Sequence, residues 1–482
     1  LRNSQFVKSL LFLAAVRSKP LNKIMGKTNQ IITTILLIVV TSVCFGQNVV
    51  LKADQMLDVK TGKLISPAVI VIENGIIIGI NPKEVPSSYE IVNLKGKTLL
   101  PGLIDCHVHL HWDENYPTST LLKESTSEAA FRGAKNAKMN LLAGFTTIRT
   151  VGQDHPTIEL LDVEIDKAIK KGLIDGPEII PSGHAISITG GHYDLSMFDT
   201  FTYGVLDFGI EHGIADGENE VIQAVRYQIK HGAKVIKITA TAGVMSLEGS
   251  VGAIQFSEKE LKAIVDEASR HEVKVAAHAH GTEGIIAATK AGVASIEHGS
   301  ILNDEAIELM KKNGTFLVPT AYLNEPRNLD HLPLAMRKVI KKTVTPVETT
   351  TAAPVDEDVL FDEAMRKKAE EIMPKARASH KKAIKAKVKF AFGTDVGAPH
   401  EIAHGENAKE FNTLINLGMN NADAIKTATV NAAELLGKND RGILEIGRRA
   451  DIIAISGNPL NDIKILENVE FVMKGGTIYK NE

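Results

Sequence analysis

Seven side chains, five histidines, a lysine and an aspartate, stand out by type and spacing as able to build a divalent-metal centre. His107 and His109 sit two apart in Pro101-Gly-Leu-Ile-Asp-Cys-His-Val-His109. His278 and His280 repeat that spacing after Val275-Ala-Ala, and His298 closes Ser295-Ile-Glu-His298. Lys237 interrupts the apolar run Lys234-Val-Ile-Lys237-Ile, and Asp395 closes Phe390-Ala-Phe-Gly-Thr-Asp395. Residues two apart on a strand share a face, so His107 and His109 point together. Cys106 and Val108 then face the other way, which makes Cys106 a buried small residue rather than a ligand. Imidazoles and a carboxylate suit Zn²⁺ and its first-row neighbours. Each position alone has a plainer reading. His298 could be a satisfied core histidine, Lys237 a lysine snorkelling to solvent, and Asp395 a turn cap. Their joint occurrence at the ends of apolar runs favours a shared centre.

The elements that would position them alternate. Strands are expected at Thr98–Leu103, Thr146–Thr150, Glu178–Pro181, Lys234–Ile238, Lys274–Ala277, Ala294–Glu297, Thr315–Val318 and Lys389–Phe392. Helical patterns separate most of them. Ser257 with Glu260 forms a capping box, and Gly314 after Lys311-Lys312-Asn313 stops a helix. Eight such units predict an α/β chain, a (β/α)₈ TIM barrel over 99–440, whose strand ends converge on one face. An open doubly wound sheet is the rival, and it lacks a Gly-x-Gly-x-x-Gly after the first strand. Strand patterns with turn signals flank the barrel at 47–98 and 441–482. Asn74-Gly75 reads as a hairpin turn. The two flanks are expected to form one small β domain from both chain ends. The stretch 324–387 is too long for a plain connection; it reads as a lid over the barrel mouth or as a solvated helical excursion.

Bulk properties exclude more than they assign. A net charge of -3 over 482 residues, with 23% charged residues, gives no footprint for nucleic acid. Two cysteines, Cys44 and Cys106, supply no disulfide framework. From Met25, Lys27 precedes an apolar run from Ile31 to Phe45 and then Gly46. That predicts a signal peptide over 25–46 and an exported, periplasmic or secreted protein with no stable membrane span after cleavage. Val43 before Cys44 argues against a lipoprotein site. The sequence leaves a homo-oligomer open.

These segments resemble the amidohydrolase superfamily, and within it the imidazolonepropionase-like branch that includes Xaa-Pro dipeptidases and related carboxypeptidases. Besides the pieces above, Ser187-Ile-Thr-Gly-Gly-His192, Gly447-Arg-Arg-Ala-Asp-Ile-Ile453 and Asn458-Pro-Leu460 match. The resemblance runs from about Val50 to the end. It implies a β-sandwich beside the barrel and a two-metal centre, with Zn²⁺ the expected ion. His107, His109 and Asp395 would hold one ion, His278 and His298 the other, and Lys237 would bridge them as a carbamate formed with CO₂. A free lysine, with a pKa of about 10.4, would be a cation between cations; burial frees the amine for CO₂.

The expected chemistry is hydrolysis of an amide by a metal-bridging hydroxide, with Asp395 as catalytic proton shuttle. His192, His280 and Tyr322 are the candidate substrate contacts, along with the stretch from His404 to Asn407. His111 shares the first strand's parity but lies past the metals. The branch usually has glycine after the loop histidine, where this chain has Tyr193. Short peptides or N-acyl amino acids, Xaa-Pro dipeptides first, are the expected substrates. Cyclic amides, lactones or organophosphate esters are the alternative for the same centre. A non-catalytic barrel is disfavoured, because all six metal positions carry competent residues.

Overall fold

The computed structural model describes residues 48–113, 124–153, 155–194, 208–246, 249–325, 357–397 and 402–482. The expected signal segment 25–46, Cys44, and residues 326–356 of the expected lid lie outside them. The described chain starts with β-structure. Strand β1 (Val49–Asp58) pairs antiparallel with β2 (Lys63–Ile65) and β3 (Ala68–Glu73), and β3 with β4 (Ile76–Ile80). Asn74 and Gly75 both take positive φ, 49° and 78°, as the expected hairpin turn requires. Strand β5 (Glu90–Pro101) runs parallel to β1.

The barrel begins with β6 (Leu103–Val108). It continues through α1 (Thr126–Leu142), β7 (Phe145–Thr150), α2 (Leu161–Lys170), β8 (Glu178–Ile180), α3 (Gly217–His231) and β9 (Val235–Thr239). Then follow α4 (Glu258–Arg270), β10 (Lys274–Ala279), α5 (Thr282–Ala291), β11 (Ser295–His298), α6 (Asp304–Asn313), β12 (Phe316–Val318) and α7 (Glu357–Lys385). Ser257 and Glu260 make the predicted capping box on α4, and Gly314 ends α6 at φ 70°. Helix α7 occupies the later part of the long stretch 324–387.

Strands β6 to β8 form one parallel arc and β9 to β12 another. Backbone bonds close them into a ring. Ile186 N donates to Lys237 O at 2.8 Å, carrying the first arc onto β9. Lys389 to Val396 forms the eighth stave. It meets β12 through Ala391 N to Leu317 O at 3.0 Å. It meets β6 through Cys106 N to Phe392 O at 2.8 Å and Asp395 N to His107 O at 2.9 Å.

One expectation needs correction. The run Thr98–Leu103 is not a single barrel strand. Thr98–Pro101 ends β5 in the flanking sheet, and the barrel starts at Leu103. Gly102 is the break. A side chain there would begin 2.2 Å from Thr146 Oγ1, so only glycine lets the chain pass between the two sheets.

Three helices, α8 (Lys409–Asn416), α9 (Asn421–Thr427) and α10 (Val430–Leu436), lead back to the flanking sheet. Strand β13 (Ile452–Ser456) pairs antiparallel with β5, followed by β14 (Phe471–Lys474) and β15 (Thr477–Asn481). The result is one mixed sheet from both chain ends, ordered β15-β14-β13-β5-β1-β3-β4 with β2 beside β1. It curls: Ala450 N donates to Gly75 O at 2.8 Å and Gly476 N to Ala450 O at 3.1 Å. Leu51, Ile70, Leu99, Ile452 and Phe471 share the enclosed core. No helix among the described residues is long and apolar enough to cross a membrane.

Phe392 joins the eighth stave to the barrel core. It is fully buried, with its ring 5.6 Å from Phe145 and 4.4 Å from Phe411. Phe392→Ala should cost about 3–5 kcal/mol of stability, read from the urea midpoint. A loss within the roughly 0.5 kcal/mol typical of surface positions would contradict this packing.

Candidate metal centre

The strand ends deliver two groups of side chains. His107 Nε2 lies 3.4 Å and His109 Nε2 3.0 Å from Asp395 Oδ1. The potential ligand atoms of these three residues lie within 4.8 Å of one another, and so do those of His278, His280 and His298. The groups abut. The rings of His107 and His298 are 5.1 Å apart, and His298 Nδ1 is 4.0 Å from Asp395 Oδ2. Lys237, on β9, is 1% exposed and interacts electrostatically with Asp395, His278 and His298. Cys106 faces away into a small apolar cluster with Ile104 and Ala391, and burial pushes its thiol up to about 12.

The first group fits a cation on the chemistry of its donors. His107 Nδ1 faces the Glu297 carboxylate at 2.9 Å, and His109 Nδ1 faces the Gly152 carbonyl at 3.1 Å. Both partners only accept, so each Nδ1 carries a proton and each Nε2 is turned toward Asp395, where its lone pair is placed to bind a cation. Two lone pairs and a carboxylate oxygen thus face one another. Ligands about 2.0–2.1 Å from a tetrahedral zinc stand roughly 3.4 Å apart, and these separations are of that size.

The second group fits as well. Burial, then neighbouring imidazoles, holds the protonation of His278 and His298 well below the ordinary histidine range. Burial lowers His280 to about 4, against the pull of Asp395. The rings therefore offer lone pairs. Among the described residues His278 Nε2 is buried without a hydrogen-bond partner, an arrangement that costs about 1–3 kcal/mol unless something binds there. Space is kept beside it: a side chain on Gly243 would begin 2.9 Å from that nitrogen. His280 Nδ1 is held by Ser300 Oγ at 2.7 Å and His298 Nδ1 by Thr320 Oγ1 at 2.8 Å. Fixing one ring nitrogen aims the other.

Charges behind the centre are paired. Burial lowers the Lys237 ammonium to about 8, although Glu297 and Asp395 pull it up. Glu297 is wholly buried and is kept at about 2 because Arg149, His107 and Lys237 together overcome burial. Arg149 Nη2 donates to it at 2.7 Å. Asp105 lies under both ligand segments. It accepts from His107 N at 3.0 Å, from Thr394 Oγ1 at 2.7 Å and from Asn407 Nδ2 at 2.8 Å. Burial raises this carboxyl to about 6 in spite of those donors.

The backbone is strained here. Asp395, His298, Thr320 and Tyr193 take φ of 63°, 69°, 45° and 79°. Such conformations cost about 1–3 kcal/mol each for residues with side chains and gather at functional sites.

The expected substrate contacts fall in different places. His192 lies beside the second group, its ring 4.2 Å from His278 and its Nδ1 3.0 Å from Ser246 Oγ. His280 is stacked on His298, with ring centroids 4.9 Å apart. Tyr322 is half-buried. Its backbone N donates to the buried Glu410 at 2.6 Å, and Lys409 Nζ lies 5.9 Å from its ring centroid. His404 is committed to structure, between Asn140 Nδ2 at 2.9 Å and the Trp112 carbonyl at 3.1 Å. Asn407 is likewise occupied by Asp105.

The supporting residues Arg149, Glu297 and Asp105 received no role from sequence. Their signal was the one that drew attention to Lys237: a charge inside an apolar strand.

Comparisons with known proteins agree with this geometry. Residues 98–479 match the amidohydrolase family. Ochratoxinase of Aspergillus niger is 36% identical over 403 residues, covering 79% of this chain and 75% of that protein. The crystal structure of a Xaa-Pro dipeptidase with methionine in its active site superposes with a TM-score of 0.78 at 35% identity, covering 90% of this chain and all (100%) of that one. A prolidase complexed with N-methylphosphonate-L-proline gives a TM-score of 0.74 at 31% identity, covering 90% and 100%. The chain therefore belongs to the amidohydrolase family, as a metal-dependent hydrolase related to Xaa-Pro dipeptidase, prolidase and ochratoxinase.

Proposed function

We propose that this chain cleaves the amide bond of short peptides or N-acyl amino acids, with Xaa-Pro dipeptides as first candidates. The carrying observation is the convergence of the His107 and His109 lone pairs on Asp395, next to the imidazoles of His278 and His298. The dipeptidase and prolidase likenesses support the choice of substrate.

In this reading His107, His109 and Asp395 hold one Zn²⁺ and His278 and His298 the other. Lys237, if carboxylated by CO₂, would offer an anionic ligand to both; its buried ammonium, lowered to about 8, is the reason to expect a reactive amine there. When bound, the metal pair supplies Lewis acidity and lowers the pKa of water toward 7, making a nucleophile available at neutral pH. Asp395 takes the proton that the attacking water gives up and returns it to the leaving nitrogen, since an amide anion leaves poorly. His280 and His192, beside the second group, orient the substrate. Glu297 and Arg149 keep the proton of His107 on Nδ1 and so keep Nε2 available.

Four measurements test this. A library of dipeptides and N-acyl amino acids, offered to zinc-loaded protein, should contain cleaved members; turnover confined to lactones or phosphate esters would overturn the substrate class. Asp395→Asn should keep the fold by circular dichroism and lose about 10²–10⁴-fold in kcat. Near-normal turnover would remove Asp395 as proton carrier. Lys237→Ala should lose bound metal and nearly all turnover, with acetate or propionate restoring part of both. Full metal content without added acid would end the carbamate bridge. Glu297→Gln should weaken metal binding by about 10–100-fold in a competition with a chelating dye. An unchanged affinity would show that the charge behind His107 has no influence on it.

A further inference from the structure

Helix α7 meets the surroundings of the centre at two places. His380 Nε2 lies 2.6 Å from the His298 carbonyl, behind the second group. Farther toward the helix N-terminus, Lys368 Nζ donates to the Ser246 carbonyl in the loop after β9.

That loop belongs to the wall beside the second group. Ser246 Oγ is 3.0 Å from His192 Nδ1 and accepts from Gly243 N at 2.9 Å. The His192 ring is 4.2 Å from His278. A side chain on Gly243 would begin 2.7 Å from His192 Cε1 and 2.9 Å from His278 Nε2. Contacts thus run from the ammonium through Ser246 and His192 to a metal-binding imidazole.

This ammonium lacks an anion. Other cations of α7 have one: Arg366 meets Glu370 at 2.5 Å, Lys375 meets Glu371 at 2.7 Å, and Arg377 meets Glu325 at 3.0 Å. Among the described residues Lys368 has no carboxylate partner, and the Ser246 carbonyl takes one of its three N–H groups. Burial lowers it below the ordinary lysine range, with no carboxylate to pull it back. A half-buried cation in this state gains from any carboxylate that a ligand brings.

Short substrates bring one. In a dipeptide or an N-acyl amino acid, the free carboxylate belongs to the residue that supplies the leaving nitrogen. It stands within about 3.8 Å, one residue length, of the scissile bond. It is also the charge that every member of this substrate class shares on its leaving side.

We propose that Lys368 is a specificity-determining residue whose ammonium pairs with the free C-terminal carboxylate of the substrate, beside the Ser246 loop. The proposal rests on the amide-hydrolase reading of the centre. It makes the enzyme an exopeptidase, since a bond followed by further residues carries no carboxylate to the ammonium. Lys368 acts as a point charge, keeps its proton and takes no part in bond breaking.

The test uses zinc-loaded wild type, Lys368→Met and Lys368→Gln, both replacements being long, straight side chains suited to a helix. Calorimetric affinity is measured for an N-phosphonyl amino acid and for its C-terminal carboxamide. Values of kcat and KM are measured for dipeptides with a free or an amidated C-terminus. Wild type should prefer the free acid by roughly 10–100-fold, the size of one charge-assisted contact. In both variants that preference should vanish through the acid alone. KM for the free dipeptide should rise by a similar factor, with kcat, metal content and carboxamide affinity near wild type. A purely supporting role for Lys368 would instead weaken acid and carboxamide equally, and that result would overturn the proposal. So would an acid preference that survives in both variants. A wild type that binds acid and carboxamide alike, or binds neither, would overturn it without any variant. A wild type that prefers the acid through Lys368 yet cleaves no amide would uphold the carboxylate site and sink the hydrolase reading instead.

Discussion

The centre depends on a convergence that would be unfavourable without a cation. Three groups with outward electron pairs, two imidazole nitrogens and a carboxylate, are held within 3.0–3.4 Å by partners that fix where the protons sit. The Gly152 carbonyl and the Glu297 carboxylate take the Nδ1 protons, and the Nε2 atoms then repel Asp395 unless positive charge lies between them. The rest of the barrel serves to keep that arrangement from relaxing.

Several layers contribute. Asp105 ties the ends of β6 and the eighth stave to one carboxylate, so His107 and Asp395 cannot drift apart independently. Arg149 crosses the barrel interior, donating to Cys106 O at 2.5 Å and to Glu297, and so locks β6 to β11. His380 on α7 reaches the His298 carbonyl at 2.6 Å. Left-handed backbone at Asp395, His298 and Thr320 is tolerated because these bonds surround it.

Much of this was legible in sequence because strand parity and strand ends carry the ligands. His107 with His109, and His278 with His280, follow from a period of two, and Lys237 from a charge in an apolar run. The break at Gly102 was not legible, since Leu99-Leu100-Pro101-Gly102-Leu103-Ile104 reads as one apolar stretch although two sheets share it. The stacking of His280 on His298 was not legible for a related reason: spacing tells which face a residue takes, but not how far a twisted strand carries it toward a neighbour. His404 looked like a pocket residue because it follows the last stave, but loops after a stave can fold back, and here the ring is used up by Asn140 and Trp112. Propensity says nothing about such long-range partners.

The short passage from β5 to β6 across Gly102 also bears on how the protein is made. β5 gains its partner β13 only when the last part of the chain is available, and β6 gains its second neighbour only with the eighth stave. The strand bearing the first two histidines is therefore flanked by pieces synthesised late. On a ribosome emitting the chain from its N-terminus, this centre would be among the last features to close, and its early strands would wait with unpaired edges until the closing segments emerged.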